Sequence, residues 1–233
     1  MLSVRGRAAD RLASVAPTGT ITPARSGGFR DHSRSNTPWS THRTEPHGYD
    51  GGVADPPTSI FVRPATLADA AAIAEIYNVE VVSSTATFDL VERTIEDQRE
   101  WLANRSGAFA AVVAVDGATK QVVGFAALSP YKPRAAYNTT VENSVYVDRD
   151  VGGRGIGALL MRHLIDTARS SGFHSIIARI EARGTASRAL HGSVGFELVG
   201  IEREVGRKFG RWLDVAVMQL MPSSTAAEPV PER

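Results

Sequence analysis

Residues Thr140 to Gly172 read TVENSVYVDRDVGGRGIGALLMRHLIDTARSSG, and the architecture turns on this stretch. Val141 and Ser144 to Val147 follow a strand pattern. The glycines Gly152, Gly153, Gly155 and Gly157 come next, and Leu159, Leu160, Leu164 and Ile165 then recur at the spacing of an amphipathic helix. A strand, a glycine-rich turn and a helix in that order make an anion-binding layout. Glycines let the backbone approach a diphosphate closely. The N–H groups of the first helical turn, Ile156 to Leu159, have no partner within the helix and carry the positive end of its dipole. Arg154 adds a charge. The loop has no lysine with which to reach a terminal phosphate, as a nucleotide-hydrolysing P-loop requires. Gly153-Arg154-Gly155-Ile156-Gly157 also departs from the Gly-x-Gly-x-x-Gly spacing of a dinucleotide site, and no acidic residue ends a strand at the right distance. Taken alone, the loop reads equally well as an ordinary tight turn between a strand and a helix.

Composition narrows the classes. The chain has 233 residues, 42% hydrophobic and 22% charged, enough for a sizeable core in one domain or two. No apolar run approaches the roughly eighteen residues of a membrane span, and the N-terminal region lacks the hydrophobic centre of a secretory signal, so a cytoplasmic protein is expected. With no cysteine, disulfides, a thiolate nucleophile and cysteine-ligated zinc are excluded, and no metal site is expected. A formal charge of +1 exerts no general pull on nucleic acid or membrane surfaces, which leaves a small molecule as the expected partner.

Residues 1–58 are dense in Arg, Ser, Thr, Pro, Gly and His without helical or strand periodicity. Such a segment cannot bury enough apolar surface to offset its ordering entropy, so a disordered N-terminal extension is expected. A domain over 59–222 and a flexible tail over 223–233 complete the expected organisation. Order begins with a short strand at Ser59 to Pro64, followed by Thr66 as an N-cap with Asp69 three residues on, before Ala70, Ile73, Ile76 and Tyr77 at helical spacing. Ser83 to Asp89 interrupts, and Thr94 caps a second helix carrying Ile95, Trp101 and Leu102. Phe109 to Val115 and Val122 to Leu128 read as an antiparallel hairpin around Asp116-Gly117. After the main helix, ended by Gly172, a buried strand spans Ser175 to Ile180 and a helix Ala186 to Val194. Leu198 to Ile201 and Leu213 to Leu220 read as two last strands, separated by a basic loop from Gly206 to Arg211. The predicted order is βααβββαβαββ, an α/β fold with a mixed, twisted sheet and helices on both faces.

That order and the Gly155/Gly157 loop resemble the GNAT superfamily of N-acetyltransferases, whose Gln/Arg-x-x-Gly-x-Gly/Ala loop grips coenzyme A. Gly152 stands at the Gln/Arg position, a departure that removes one side-chain contact. The resemblance sharpens to the branch of phosphinothricin and methionine sulfoximine/sulfone N-acetyltransferases. It rests on Ile76-Tyr77-Asn78, Ser84-Thr85-Ala86-Thr87-Phe88, Tyr131-Lys132-Pro133-Arg134, Ala136-Tyr137, Thr140-Val141-Glu142-x-Ser144-Val145-Tyr146-Val147, Leu190-His191, Gly195-Phe196 and Gly206-x-Lys208-x-Gly210-x-Trp212-x-Asp214. These marks span residues 60 to 222.

What the resemblance implies is an acetyl-CoA-dependent N-acetyltransferase acting on the α-amine of a small amino-acid analogue. A different amine, such as a protein N-terminus, and a non-catalytic acyl-CoA-binding module are the alternatives. Glu142, at the start of the central strand, is the implied base, although a solvated strand-end carboxylate would read the same. His191 takes the place of the family's usual tyrosine acid, and imidazole can donate near neutral pH, although a lone histidine on a helix is often structural. The backbone of Val145, Tyr146 and Val147 would pair with the pantetheine amides like an added strand. Gly153, Arg154, Gly155, Ile156, Gly157 and Ala158 would hold the pyrophosphate. Gly184 replaces an asparagine typical of the family, removing one hydrogen bond to the coenzyme. Arg134 would meet an acceptor carboxylate, with Ala136 and Tyr137 beside it and Phe88 walling the side-chain pocket. A homodimer is implied as well.

Overall fold

The computed structural model describes residues 59–222. The expected N-terminal extension and tail lie outside the described residues. The chain runs β1 (Ile60–Pro64), α1 (Ala70–Ser83), α2 (Ile95–Ala103), β2 (Val112–Asp116), β3 (Val122–Pro130), β4 (Thr140–Val147), α3 (Ile156–Ser170), β5 (Ser175–Glu181), α4 (Thr185–Ser193), β6 (Glu197–Lys208) and β7 (Arg211–Leu220). This is the order read from the sequence. The strands form one seven-stranded sheet, β1-β2-β3-β4-β5-β7-β6, antiparallel throughout except for the parallel pair β4 and β5.

Strand periodicity sorts the side chains into two cores. Val112 and Ala114 of β2, with Ala126 and Leu128 of β3 and Val141 of β4, pack under Ile156, Leu160, Met161 and Leu164 of α3. Val113, Val115, Phe125 and Ala127 face the other way, against Ile73, Ile76, Tyr77 and Val81 of α1 and Leu102 of α2. Helices therefore cover both faces. Thr94 caps α2 as expected, whereas Thr66 precedes a 3-10 turn and Asp69 is the N-cap of α1. Thr94 Oγ1 accepts from Asp97 N at 3.1 Å, and the Asp69 carboxylate accepts from the Thr66 backbone at 2.7 Å.

Two boundaries differ from the sequence reading. Phe109 belongs to a 3-10 turn, Gly107–Phe109, because Gly107 takes a positive φ of 56° there, and β2 begins only at Val112. The basic segment from Gly206 to Arg211 is mostly strand. Its turn is reduced to Phe209 and Gly210, both left-handed (φ 49° and 74°), the conformation that matches the twist of a two-residue hairpin. Charged side chains masked this hairpin in the sequence, since β6 is an edge strand whose outer face meets water.

Candidate active site

The parallel pair β4 and β5 stays together for only three steps, Thr140 with Ser175, Val141 with Ile176 and Glu142 with Ile177. Beyond Glu142 the strands part. Asn143 to Val147 continue against β3 alone, and Ala178 to Glu181 against β7 alone. The β5-facing edge of β4 is thus left without a strand partner among the described residues, and an extended chain carrying amides can add to it. A cleft of about 1380 Å³ opens from this fork, lined by Glu142 to Val147, Ala178 to Glu181, the glycine loop and parts of α4. That exceeds the roughly 300–1000 Å³ of a pocket for one small molecule, so it has room for two reactants.

The glycine loop stands at one end of the cleft. Gly155 is the N-cap of α3 with φ 75°, which lets the chain turn into the helix and leaves the N–H groups of Ile156, Gly157 and Ala158 at its open end. Gly152, Gly153, Gly155, Ile156, Gly157 and Ala158 all line the cleft. Gly157 has a second duty: a Cβ there would come within 2.9 Å of Leu190 on α4. Arg154 instead reaches back to Asp116 of β2, its guanidinium 3.3 Å from Oδ2, and does not line the cleft. Gly184, the N-cap of α4, also lines the cleft.

Glu142 sits at the point of the fork, half-buried and lining the cleft. No group among the described residues hydrogen-bonds its carboxylate. Burial pushes its pKa up, the charge of Arg179 on β5 opposes this, and Glu202 on β6 adds to it. Arg179 and Glu202 are themselves paired at 2.6 Å. A carboxylate raised in this way is a better proton acceptor near neutral pH than a free one.

Its neighbour Asn143 points to the opposite face of the sheet and is buried against α3 and α4. Asn143 Nδ2 lies 3.0 Å from His191 Nε2, and His191 Nδ1 lies 2.8 Å from the carbonyl of Ser187. A carbonyl only accepts, so Nδ1 carries the proton, and Nε2 accepts from the amide. Burial holds the imidazole pKa below the usual histidine range, against the pull of the Ser187 carbonyl. Asn143 Oδ1 is buried without a partner.

On the α1 and α2 face, the loop between these helices borders the fork and is pinned at several points. Tyr77 Oη bonds to Thr87 Oγ1 at 2.7 Å and donates to Asp89 at 2.6 Å, and Asn78 exchanges two bonds with the backbone of Arg93. Thr85, Thr87 and Phe88 line the cleft beside Val145, Tyr146 and Val147. Arg134, Ala136 and Tyr137 lie on the exposed connection between β3 and β4 and do not line it. That connection re-enters β4 two residues before Glu142, at the end away from the glycine loop. Sequence reasoning passed over Asn143, Arg179 and Glu202, because their roles depend on the pairing of strands distant in the chain.

Comparison with known proteins agrees with this geometry. The acetyltransferase (GNAT) domain family matches residues 62–217. A phosphinothricin N-acetyltransferase of Streptomyces coelicolor is 41% identical over 159 residues, covering 67% of this chain and 93% of that protein. An L-methionine sulfoximine/L-methionine sulfone acetyltransferase of Pseudomonas aeruginosa is 36% identical over 171 residues, covering 73% of this chain and 99% of that one. A solved structure from Salmonella typhimurium, determined with its cofactor acetyl-CoA, superposes with a TM-score of 0.68 at 36% identity, covering 72% of this chain and 96% of that chain. The unpaired β4 edge suits the amides of a pantetheine arm, and the open N-terminus of α3 suits a pyrophosphate, so the residues present fit acetyl-CoA. On both counts, sequence family and site geometry, the chain belongs to the GNAT superfamily and is an acetyltransferase that uses acetyl-CoA as its co-substrate.

Proposed function

We propose that the acceptor is the α-amine of a small amino-acid analogue of the phosphinothricin or methionine sulfoximine/sulfone type. The observation that carries this reading is the placement of Glu142 and Phe88 together on the α1 and α2 face of the fork, with the exposed Arg134 loop at the same end of β4. A base, an apolar wall and a cation are what an amino acid with a bulky side chain demands. The two relatives named above act on amino-acid analogues of this kind.

Acetyl-CoA, when bound, supplies the activated acetyl group. The chain's own residues do the rest. Glu142 removes the proton from the amine as it attacks. The backbone of Val145, Tyr146 and Val147 aligns the donor, and the Val145 N–H meets the negative charge that develops on the carbonyl oxygen. Gly153, Gly155, Ile156, Gly157 and Ala158 hold the pyrophosphate end, and Arg154 joins them only by turning from Asp116 toward the cleft. His191, which lines the cleft, is the acid in this proposal: it first takes up a proton on Nε2, the nitrogen that now accepts from Asn143, and releases it to the departing sulfur as that contact opens. Arg134, beside Ala136 and Tyr137 on the exposed connection at the Glu142 end of β4, takes the acceptor carboxylate in this proposal, which requires that connection to reach over a cleft it does not line here.

Residues 59–222 form the catalytic domain in this proposal, residues 1–58 an extension without a part in catalysis, and 223–233 a tail. The enzyme works in the cytoplasm, where acetyl-CoA is at hand, as a homodimer. Exposed Leu198, Val199, Ile201 and Val205 on the edge strand β6 favour a second copy over solvent. Coenzyme A release measured against phosphinothricin, methionine sulfoximine, methionine sulfone, plain amino acids and a peptide N-terminus tests the reading. The first three should lead the panel, and a preference for the peptide would overturn it.

A further inference from the structure

The Gly206-x-Lys208 segment of β6 does not line the cleft, yet it is tightly held from the α1 side. Lys208 is 4% exposed. Its Nζ donates to two main-chain carbonyls, Thr87 O at 2.8 Å and Glu80 O at 3.3 Å, and so ties the end of α1 and the following loop to β6. Glu80 is in turn held by Arg149 through two bonds of 2.7 and 2.8 Å. Two residues before Lys208, on the same face of the strand, comes Gly206.

A Cβ on Gly206 would lie 2.2 Å from Cε2 and 2.5 Å from Cδ2 of Phe88, distances that real side chains do not tolerate. The Phe88 ring therefore rests on bare backbone. Gly206 is not among the residues with positive φ, so backbone conformation does not demand glycine here. The ring alone excludes a side chain. Nor can the ring escape by moving its own backbone, because Thr87 and Asp89 on either side are bonded to Tyr77, and Thr87 also to Lys208. The open direction is the cleft, which Phe88 lines together with Leu213, the cross-strand partner of Gly206.

We propose that Gly206 is a specificity-determining position: it sets how far the Phe88 ring stands back from the cleft, and thereby the size of the amine side chain that the cleft accepts. Lys208 fixes the loop on which this gauge acts. The inference rests on the reading that this face of the fork receives the acceptor.

The test is a cycle of Gly206→Ala, Phe88→Ala and the double variant. Each is assayed for coenzyme A release with a size series running from glycine through alanine to methionine sulfone and phosphinothricin, and with the amides of the same amino acids. Gly206→Ala should cut kcat/KM for the largest acceptors about tenfold or more relative to the smallest, as expected for lost pocket volume, and leave the KM for acetyl-CoA unchanged. Phe88→Ala in the Gly206→Ala background should restore the large acceptors. Phe88→Trp, which adds ring volume without altering β6, should narrow the profile in the same sense, and keeps the test open if Gly206→Ala fails to fold. An unchanged size profile, a uniform loss across the series, or a deficit that Phe88→Ala does not relieve would overturn the proposal. The amides separate the two questions: equal turnover of acids and amides by the wild type removes the amino-acid reading while the size profile is still read.

Discussion

The imidazole of His191 and the amide of Asn143 meet at 3.0 Å inside the protein, with the same amide nitrogen 3.4 Å from Met161 Sδ, and this leaves Asn143 Oδ1 buried with nothing to accept. The arrangement suits a neutral ring. A proton on Nε2 would face an N–H, and only inversion of the amide would receive it. Replacing Asn143 by Asp puts a carboxylate in the same place and should reverse the preference. In the wild type the His191 ring should titrate below the ordinary histidine range, near 6.5, as burial dictates. In Asn143→Asp it should titrate above that range, and NMR of the imidazole protons reads both. The sign for stability follows. With a depressed folded pKa, the unfolded chain binds the proton more readily, so stability is lost as pH falls below the unfolded value. With a raised one, the contribution is present at low pH and lost as pH rises through the folded pKa. An unmoved titration in the variant would sink this account.

Glu142→Gln keeps the shape of the side chain and removes its basicity. Turnover should fall by about 10² to 10⁴-fold with acetyl-CoA binding intact. Wild-type kcat/KM should climb with pH as Glu142 ionises, and the climb should sit above the usual carboxylate range because burial raises this group. The variant should lack that limb, and its deficit should shrink at higher pH as free amine becomes abundant. Wild-type turnover across the range would show that Glu142 is not the base.

Arg134→Ala should raise KM for the acceptor by roughly tenfold to a hundredfold, the size of a lost charge-assisted pair of about 1.5 to 3 kcal/mol. The KM for acetyl-CoA should stay put, since the β3 to β4 connection lies away from the glycine loop. Steady-state kinetics with each substrate varied in turn decides this, and equal effects on both would take Arg134 out of the acceptor site.

Gly155→Ala forces a side chain into left-handed backbone at φ 75°. Nothing lies within 4 Å of the added methyl, so the penalty is conformational alone, about 1 to 2 kcal/mol. Relieving it would turn the N-terminus of α3. The expected result is a lower melting temperature together with a higher KM for acetyl-CoA, and an unchanged acceptor KM.

A chain beginning at Ser59 should retain both fold and activity, because residues 1–58 have a composition without a core to join. Soluble expression and turnover equal to the full chain are the expected readings. Loss of either on truncation would assign the extension a role.

Much of this protein could be read before its strands were paired. The order of elements, the capping threonines Thr66 and Thr94, and the glycine loop before α3 are local properties. They are set by side-chain periodicity over a few turns and by backbone that only glycine adopts, as at Gly155. The hairpin at Phe209-Gly210 was hidden even locally, because an edge strand facing water loses the alternation that marks a buried one. What only the tertiary structure decided are relationships between strands far apart in sequence: the parting of β4 from β5 after Glu142, the pairing of Asn143 with His191, the tuning of Glu142 by Arg179 and Glu202, and the seat that Gly206 provides for Phe88. Each depends on the register of a sheet whose neighbours are not neighbours in the chain. A glycine in a strand looks the same in sequence whether it faces solvent or an aromatic ring, and packing alone makes the difference.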